Sequence, residues 1–297
     1  MEVFFLTRST TVSLVLGSGG ARGLAHIGVI QWLTESGYDI RSIAGSSMGA
    51  LVGGIYATGK LAVYAEWALA LERMQVLRLL DPSFGRNGLF KGERIMGVLR
   101  DLIGDCAIEG LPMSFTAVAT DLDSGEEIWL KKGKLFDAIR ASIATPLVFT
   151  PFKHGGRTLL DGALVNPLPI APTLNDNSDL TIAVNLGGPA EVRPTPEPST
   201  PIISGNVYRQ RIRAFIDNLH LGSTASSERA RGLFDIAFAS MQTMQDTIAR
   251  LKLAAYSPDV TVEVPRNACG FYEFWRAEEL IELGRERAAQ AFASRGR

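Results

Sequence analysis

Ser47 lies at the centre of Gly45-Ser46-Ser47-Met48-Gly49, the Gly-x-Ser-x-Gly spacing that a nucleophile elbow uses. The chemistry this spacing offers is attack by a serine hydroxyl, which needs a base to take its proton and donors to hold the oxygen that becomes negative. Ile43-Ala44 runs apolar into Gly45 like the end of a strand, and Met48 to Tyr56 reads as a helix. Ser47 therefore falls at the tip of the turn, near the positive end of the helix, with its hydroxyl expected to stand exposed. Gly45 and Gly49 suit the turn because a side chain two residues either way would collide with the neighbouring strand or helix. An ordinary Gly/Ser loop has the same composition, so the assignment depends on partners elsewhere in the chain.

The first partner is Gly17-Ser18-Gly19-Gly20-Ala21-Arg22-Gly23, which follows the apolar strand Val12 to Leu16. It precedes a helix with Leu24, Ile27, Ile30 and Leu33 on one stripe. Such a turn presents free backbone N–H groups to negative charge. A P-loop would end in Gly-Lys-Ser/Thr, and Arg22-Gly23-Leu24 stands there instead. A dinucleotide site wants an acidic residue at the end of the second strand, which here runs into Gly45-Ser46-Ser47. An oxyanion hole needs only the amides beside a nucleophile, and a right-handed strand-helix-strand crossover brings this loop and the elbow to one sheet edge. Arg22 has two readings: a charge that steadies the loop or meets an anionic head group, or a solvent-facing cation.

The base is less certain from residue types. Asp161, in Arg157-Thr158-Leu159-Leu160-Asp161-Gly162-Ala163, ends an apolar strand where a carboxylate can face a site, but Asp-Gly is also a common turn pair. Of three histidines, His26 follows the glycine loop, His154 sits by Gly155-Gly156 at a hairpin tip, and His220 ends an amphipathic run. Only His220 lies beyond Asp161 in the nucleophile-acid-histidine order, and no local motif marks it. A triad with His220 stays open at this point.

The rest of the chain reads as helices over 61–80, 92–102 and 137–143, and strands over 115–121, 127–130, 181–186 and 259–264. Leu89 and Phe90, among glycines, suit a place over a pocket mouth or, alternatively, are two ordinary exposed apolar residues. A proline-rich connection at 187–205 reads as exposed and mobile, and 206–297 as a helical region with one late strand and a closing helix at 273–292. Its segment Val207 to Ile216 interleaves arginines with Tyr208, Ile212, Phe215 and Ile216, which suits a lipid interface or, alternatively, packing on the core or on a second subunit.

Composition bounds the partners. The 297 residues are 46% hydrophobic, enough for a full core, and carry 30 basic against 31 acidic side chains, so no global field recruits nucleic acid or anionic membrane. Cys106 and Cys269 lack metal-ligand spacing; neither a disulfide framework nor a metal site is expected, and a reducing compartment is. No signal peptide is expected in the first 16 residues, and no stretch approaches a membrane span of about 20 apolar residues.

These three blocks resemble those of the patatin-like phospholipases, and in particular their short, single-domain bacterial group. The glycine loop is similar to that family's oxyanion motif, Gly45 to Gly49 to its nucleophile block, and Asp161-Gly162-Ala163 to its acid motif. Order and spacing agree, as do the segment Arg140 to Pro146 and the late Phe274 to Ile281; Ser18 departs, standing where relatives often carry glycine. The resemblance implies an α/β fold, a three-layer α/β/α sandwich with a mostly parallel sheet, filling 1–297 as one catalytic domain with its motifs in 12–186. It implies Ser47 as nucleophile and Asp161 as base with no histidine, and an oxyanion hole around Gly19, Gly20, Ala21 and Arg22. Gly17, Gly23, Gly45, Gly49 and Gly162 support the motifs, and no cofactor is implied. The expected reaction is hydrolysis of acyl esters of phospholipids or lysophospholipids, in the cytoplasm, with peripheral contact at the inner membrane surface and a homo-oligomer as open options. An esterase or thioesterase on other acyl substrates, and a non-catalytic lipid- or partner-binding module, are the competing readings.

Overall fold

Alternating strand and helix patterns near the start of the chain build a parallel sheet, because each crossover helix returns the next strand beside the last. The computed structural model describes residues 9–83, 89–191 and 233–295. Strand β1 (Thr11–Leu16) leads through a 3-10 turn at Gly20–Leu24 into α1 (Ala25–Glu35), and β2 (Asp39–Ser46) leads into α2 (Met48–Ala57). Next come α3 (Leu61–Leu69), α4 (Arg73–Leu79), α5 (Glu93–Ile103), β3 (Ser114–Asp121), β4 (Glu127–Leu130) and α6 (Leu135–Ser142). They are followed by β5 (Phe152–His154), β6 (Arg157–Asp161), β7 (Leu180–Gly188), α7 (Leu233–Tyr256), β8 (Val260–Pro265) and α8 (Ala277–Arg295).

The strands form one sheet in the order β5-β6-β3-β2-β1-β7-β8, with β4 also on β3. The run from β3 through β2, β1 and β7 to β8 is parallel, whereas β4, β5 and β6 enter by antiparallel pairing. β1 is the central strand of that parallel run, and its buried residues show why the sheet has helices on both faces. Leu14 and Leu16 join Ile182 and Val184 in the main core with α1, α2 and α8 residues. Val15 and Ala183, pointing the other way, pack with Leu168, Ile170 and Ala249 of α7. A central sheet flanked by helices is thus the architecture, as the resemblance implies.

Several elements differ from expectation. The helix expected over 61–80 is two, because Glu72 and Gln75 form a capping box that starts α4 afresh, with the Glu72 N–H donating to Gln75 Oε1 at 2.7 Å. The closing helix begins with a 3-10 turn at Phe274–Arg276 before α8. Two of its arginines tie it to the rest of the fold: Arg285 bonds Glu35 of α1, and Arg287 bonds Glu191 at 2.5 Å. Phe90 is tied by bridges to Pro82 and Phe149, leaving Leu89 exposed. Most of the proline-rich connection, the segment Val207 to Ile216 and His220 lie outside the described residues.

Helices α1 and α8 cross at backbone contact. A Cβ on Gly28 would overlap Ile281 O, and one on Gly284 would overlap Ala25 O. Rings at one end, Trp32 on α1 and Phe292 on α8, lie 4.9 Å apart between centroids. Gly284→Ala is therefore expected to cost about 1–3 kcal/mol by overpacking, read as a lower urea midpoint with the slope unchanged; an unchanged midpoint would show that the helices have room to part.

Candidate active site

The site begins with two strands meeting end to end. β4 occupies one edge of β3 over Ala117 to Thr120. The opposite edge is shared: Ser46 of β2 pairs with Val118, and Asp161 of β6 pairs with the next residue, Ala119. β2 and the antiparallel β6 thus converge on one point of β3, and their last residues are neighbours. The hairpin that reverses the chain into β6 turns at Gly155 and Gly156, with φ of +57° and +80°. Gly162 lets the chain leave without collision, since a Cβ there would overlap Val118 O and sit 2.9 Å from Ser46 Oγ.

At the junction Ser47 has φ +55° and ψ −121°, a left-handed conformation costly for a residue with a side chain. It is held by hydrogen bonds. The Ser47 N–H donates to Ser142 Oγ at 2.9 Å, and Ser142 Oγ donates to Val118 O at 2.6 Å. A Cβ at Gly45 would overlap the Gly49 backbone, and one at Gly49 would overlap Leu16 O, as the spacing predicts. The hydroxyl is not exposed, however: Ser47 is 5% accessible and Asp161 2%.

Ser47 Oγ donates to Asp161 Oδ2 at 2.8 Å. The same oxygen accepts Thr145 Oγ1 at 2.6 Å, and Oδ1 accepts the Ala163 N–H at 2.9 Å. The backbone is fixed too, by Asp161 N–H to Ala144 O at 3.0 Å and Thr120 Oγ1 to Asp161 O at 2.9 Å. Burial pushes the Asp161 carboxyl up to about 6, against the hydrogen bonds from Thr145, the Ala163 amide and Ser47, which favour the carboxylate.

The glycine loop lies at the level of the elbow, since Leu16 is in register with Gly45 and a Cβ on Gly23 would overlap Met48 Cβ. Gly17 N–H donates to Val184 O at 3.0 Å and Ser18 N–H to Pro167 O at 2.9 Å. Gly20 has φ +58°, and a Cβ there would lie 2.5 Å from Phe271 Cδ2, so glycine is required. One expected donor is lost: the Ala21 N–H is given to Phe271 O at 2.8 Å. The Gly19 and Gly20 amides have no acceptor among the described residues. Arg22 is buried, donating from Nε to Gly19 O at 3.1 Å and from Nη1 to Arg266 O at 2.8 Å, so its side chain steadies the loop.

The two histidines among the described residues, His26 and His154, stand apart from this junction. His26 Nε2 donates to Gly17 O at 2.8 Å, and burial holds its imidazole down at about 4, so it is neutral with the proton on Nε2. Its place is under the loop as a brace. His154 stacks on Phe152 in the β5–β6 hairpin. Ser142 and Thr145, which residue types alone did not single out, are the additions. Among the described residues no cluster of His, Cys, Asp and Glu could hold a metal ion, and no helix is long and apolar enough to cross a membrane.

The family model for patatin-like phospholipases matches residues 14–174. An uncharacterized NTE family protein of Mycobacterium tuberculosis is 40% identical over 331 aligned positions, which span 95% of this chain and 91% of that protein. Neuropathy target esterase sws of Drosophila melanogaster is 30% identical over 60% of this chain and 13% of its own length. The solved structure of VipD from Legionella pneumophila aligns with 96% of this chain and 67% of its own at a TM-score of 0.43 and 12% identity, too loose to argue from.

Keeping a carboxylate in this enclosure has a cost. An unfolded chain releases the Asp161 proton near the usual aspartate value, whereas the folded chain holds it up to about 6. Across that window the folded state binds more protons, so stability falls as pH rises. Asp161→Asn should therefore be more stable than the wild type at about pH 8 by on the order of 2–3 kcal/mol, with the advantage shrinking toward about pH 4. Urea unfolding at both pH values tests this, and equal midpoints at the higher pH would contradict it.

Proposed function

The chain belongs to the patatin-like phospholipase family, and on that premise we propose that it is a serine hydrolase of lipid acyl esters, with phospholipids or lysophospholipids as substrates and Ser47 and Asp161 as its catalytic dyad. The observation that carries this reading is the buried 2.8 Å hydrogen bond from Ser47 Oγ to Asp161 Oδ2 at the end of β2.

In the proposed reaction, Ser47 Oγ forms a bond to the acyl carbonyl carbon as its proton passes to Asp161 Oδ2. The carbonyl π electrons move to oxygen, and the N–H groups of Gly19 and Gly20 receive the oxyanion, each worth about 3 kcal/mol when well aimed. Collapse of the tetrahedral adduct breaks the ester C–O bond, and the leaving alcohol takes the proton from Asp161. Water then attacks the acyl-enzyme, giving its proton to Asp161, and Ser47 leaves with that proton as the fatty acid is released. A carboxyl raised to about 6 is a better base for a serine than an ordinary aspartate and still ionised at neutral pH. Burial therefore supports the chemistry that it makes costly for stability.

A fluorophosphonate probe should label Ser47 in the wild type. Asp161→Asn should lower ester turnover by about 1,000-fold or more while the protein remains folded, and His154→Ala and His220→Ala should leave it unchanged. Wild-type turnover should fall as pH drops through about 6, as Asp161 takes up its proton. Full activity in Asp161→Asn would end the dyad reading, and loss of activity in His220→Ala would restore the triad.

A further inference from the structure

Thr145 sits on the dyad. Its Oγ1 donates to Asp161 Oδ2 at 2.6 Å, the oxygen that also accepts Ser47 Oγ at 2.8 Å, while Ile143 O lies 3.4 Å from the same hydroxyl as a second, weaker acceptor. The side chain is buried, and the Thr145 backbone is tied by N–H to Ile143 O at 2.7 Å, so the hydroxyl moves by rotation of its hydrogen alone. A carboxylate oxygen offers about two lone-pair sites, and here two hydroxyls fill those of Oδ2.

The other groups facing Asp161 are neutral. Ser47 precedes α2, the Ala163 amide follows β6, and Thr120 of β3 meets the Asp161 carbonyl. Ser142 of α6 faces Val118 O. Charged side chains on the same elements are engaged elsewhere: Asp121 of β3 with Arg157 at 3.0 Å, and Arg140 of α6 with Glu93 at 3.7 Å and with the rings of Phe149 and Phe152. Arg22 and His26 are bound to loop carbonyls. No charge among the described residues faces Asp161, so the hydrogen-bond donors on it, the hydroxyls of Thr145 and Ser47 and the Ala163 amide, are the means of adjusting it.

We propose that Thr145 is a positioning residue of the dyad, its hydroxyl donating to Asp161 Oδ2 while the carboxylate is ionised and turning to Ile143 O when the proton from Ser47 arrives. Because Ile143 O is the poorer acceptor, the hydroxyl favours the ionised base and aligns Oδ2 with Ser47 Oγ. The proposal rests on the Ser47–Asp161 reading above.

The test compares wild type, Thr145→Val and Thr145→Ser in two ways. Infrared difference spectra against Asp161→Asn follow the protonated carboxyl with pH, independently of turnover, and fluorophosphonate labelling of Ser47 gives the rate profile. Thr145→Val should move the carboxyl midpoint and the acid limb of the profile up by about one pH unit, the loss of one hydrogen bond to a charged group. Rates should be about tenfold lower on the acid side and little changed on the alkaline side. Thr145→Ser should restore both. An unmoved midpoint, or a loss of rate that is uniform with pH, would overturn the proposal. If Thr145→Val does not fold, Thr145→Ala against Thr145→Ser makes the same comparison. Failure to label Ser47 in the wild type would instead defeat the hydrolase reading, with the infrared midpoint still reporting on Thr145.

Discussion

One edge of β3 accommodates two strands that approach from opposite directions, and everything at the site depends on that sharing. Because Ser46 and Asp161 face consecutive residues of β3, the sheet sets the spacing of Ser47 and Asp161, and neither needs a flexible loop to find the other. Backbone pairing is stiff, and a one-residue slip of β6 would turn Asp161 to the other face. Where the two strands end, Ser142 of α6 enters, donating to Val118 O and receiving the Ser47 N–H, so a side chain from a neighbouring helix supports the elbow.

Around this point three costs are concentrated: a left-handed serine, a buried carboxylate and a row of glycines. They are borne by a core that runs through both faces of β1 and β7. The glycines are accounted for by contact as well as by conformation. Gly17 would place a Cβ 2.8 Å from Val184 O and Gly19 one 2.8 Å from Leu186, so the loop lies directly on β7 and has no depth to spare. Between them, Ser18 gives its backbone N–H to Pro167 O.

Much of this was legible in the chain because the residues concerned answer to local rules. Glycine two places either side of Ser47, an apolar strand before Asp161 and a glycine loop before an amphipathic stripe all restrict the backbone where they stand. What was not legible depends on residues distant in sequence. Nothing near Ala21 announces that Phe271 will take its amide, and a threonine before Pro146 has no local mark of the carboxylate it meets. From its sequence His26 is placed only on the helix after the glycine loop, and its role under Gly17 O follows from the path of the loop. The split of the helix at Glu72 was readable in principle, since Glu72 and Gln75 have capping-box spacing, but the apolar periodicity on both sides hides it.

The bonds that finish the glycine loop reach far along the chain. Arg22 Nη1 donates to the carbonyl of Arg266, a separation of 244 residues, and the Ala21 amide to that of Phe271. During synthesis the serine and the aspartate leave the ribosome well before those carbonyls exist. A nascent chain thus carries Ser47 and Asp161 without the acceptors that hold the glycine loop in place, and N-terminal segments that fold first cannot complete this arrangement. The chain's own order of manufacture makes the loop the last part of the site to be secured.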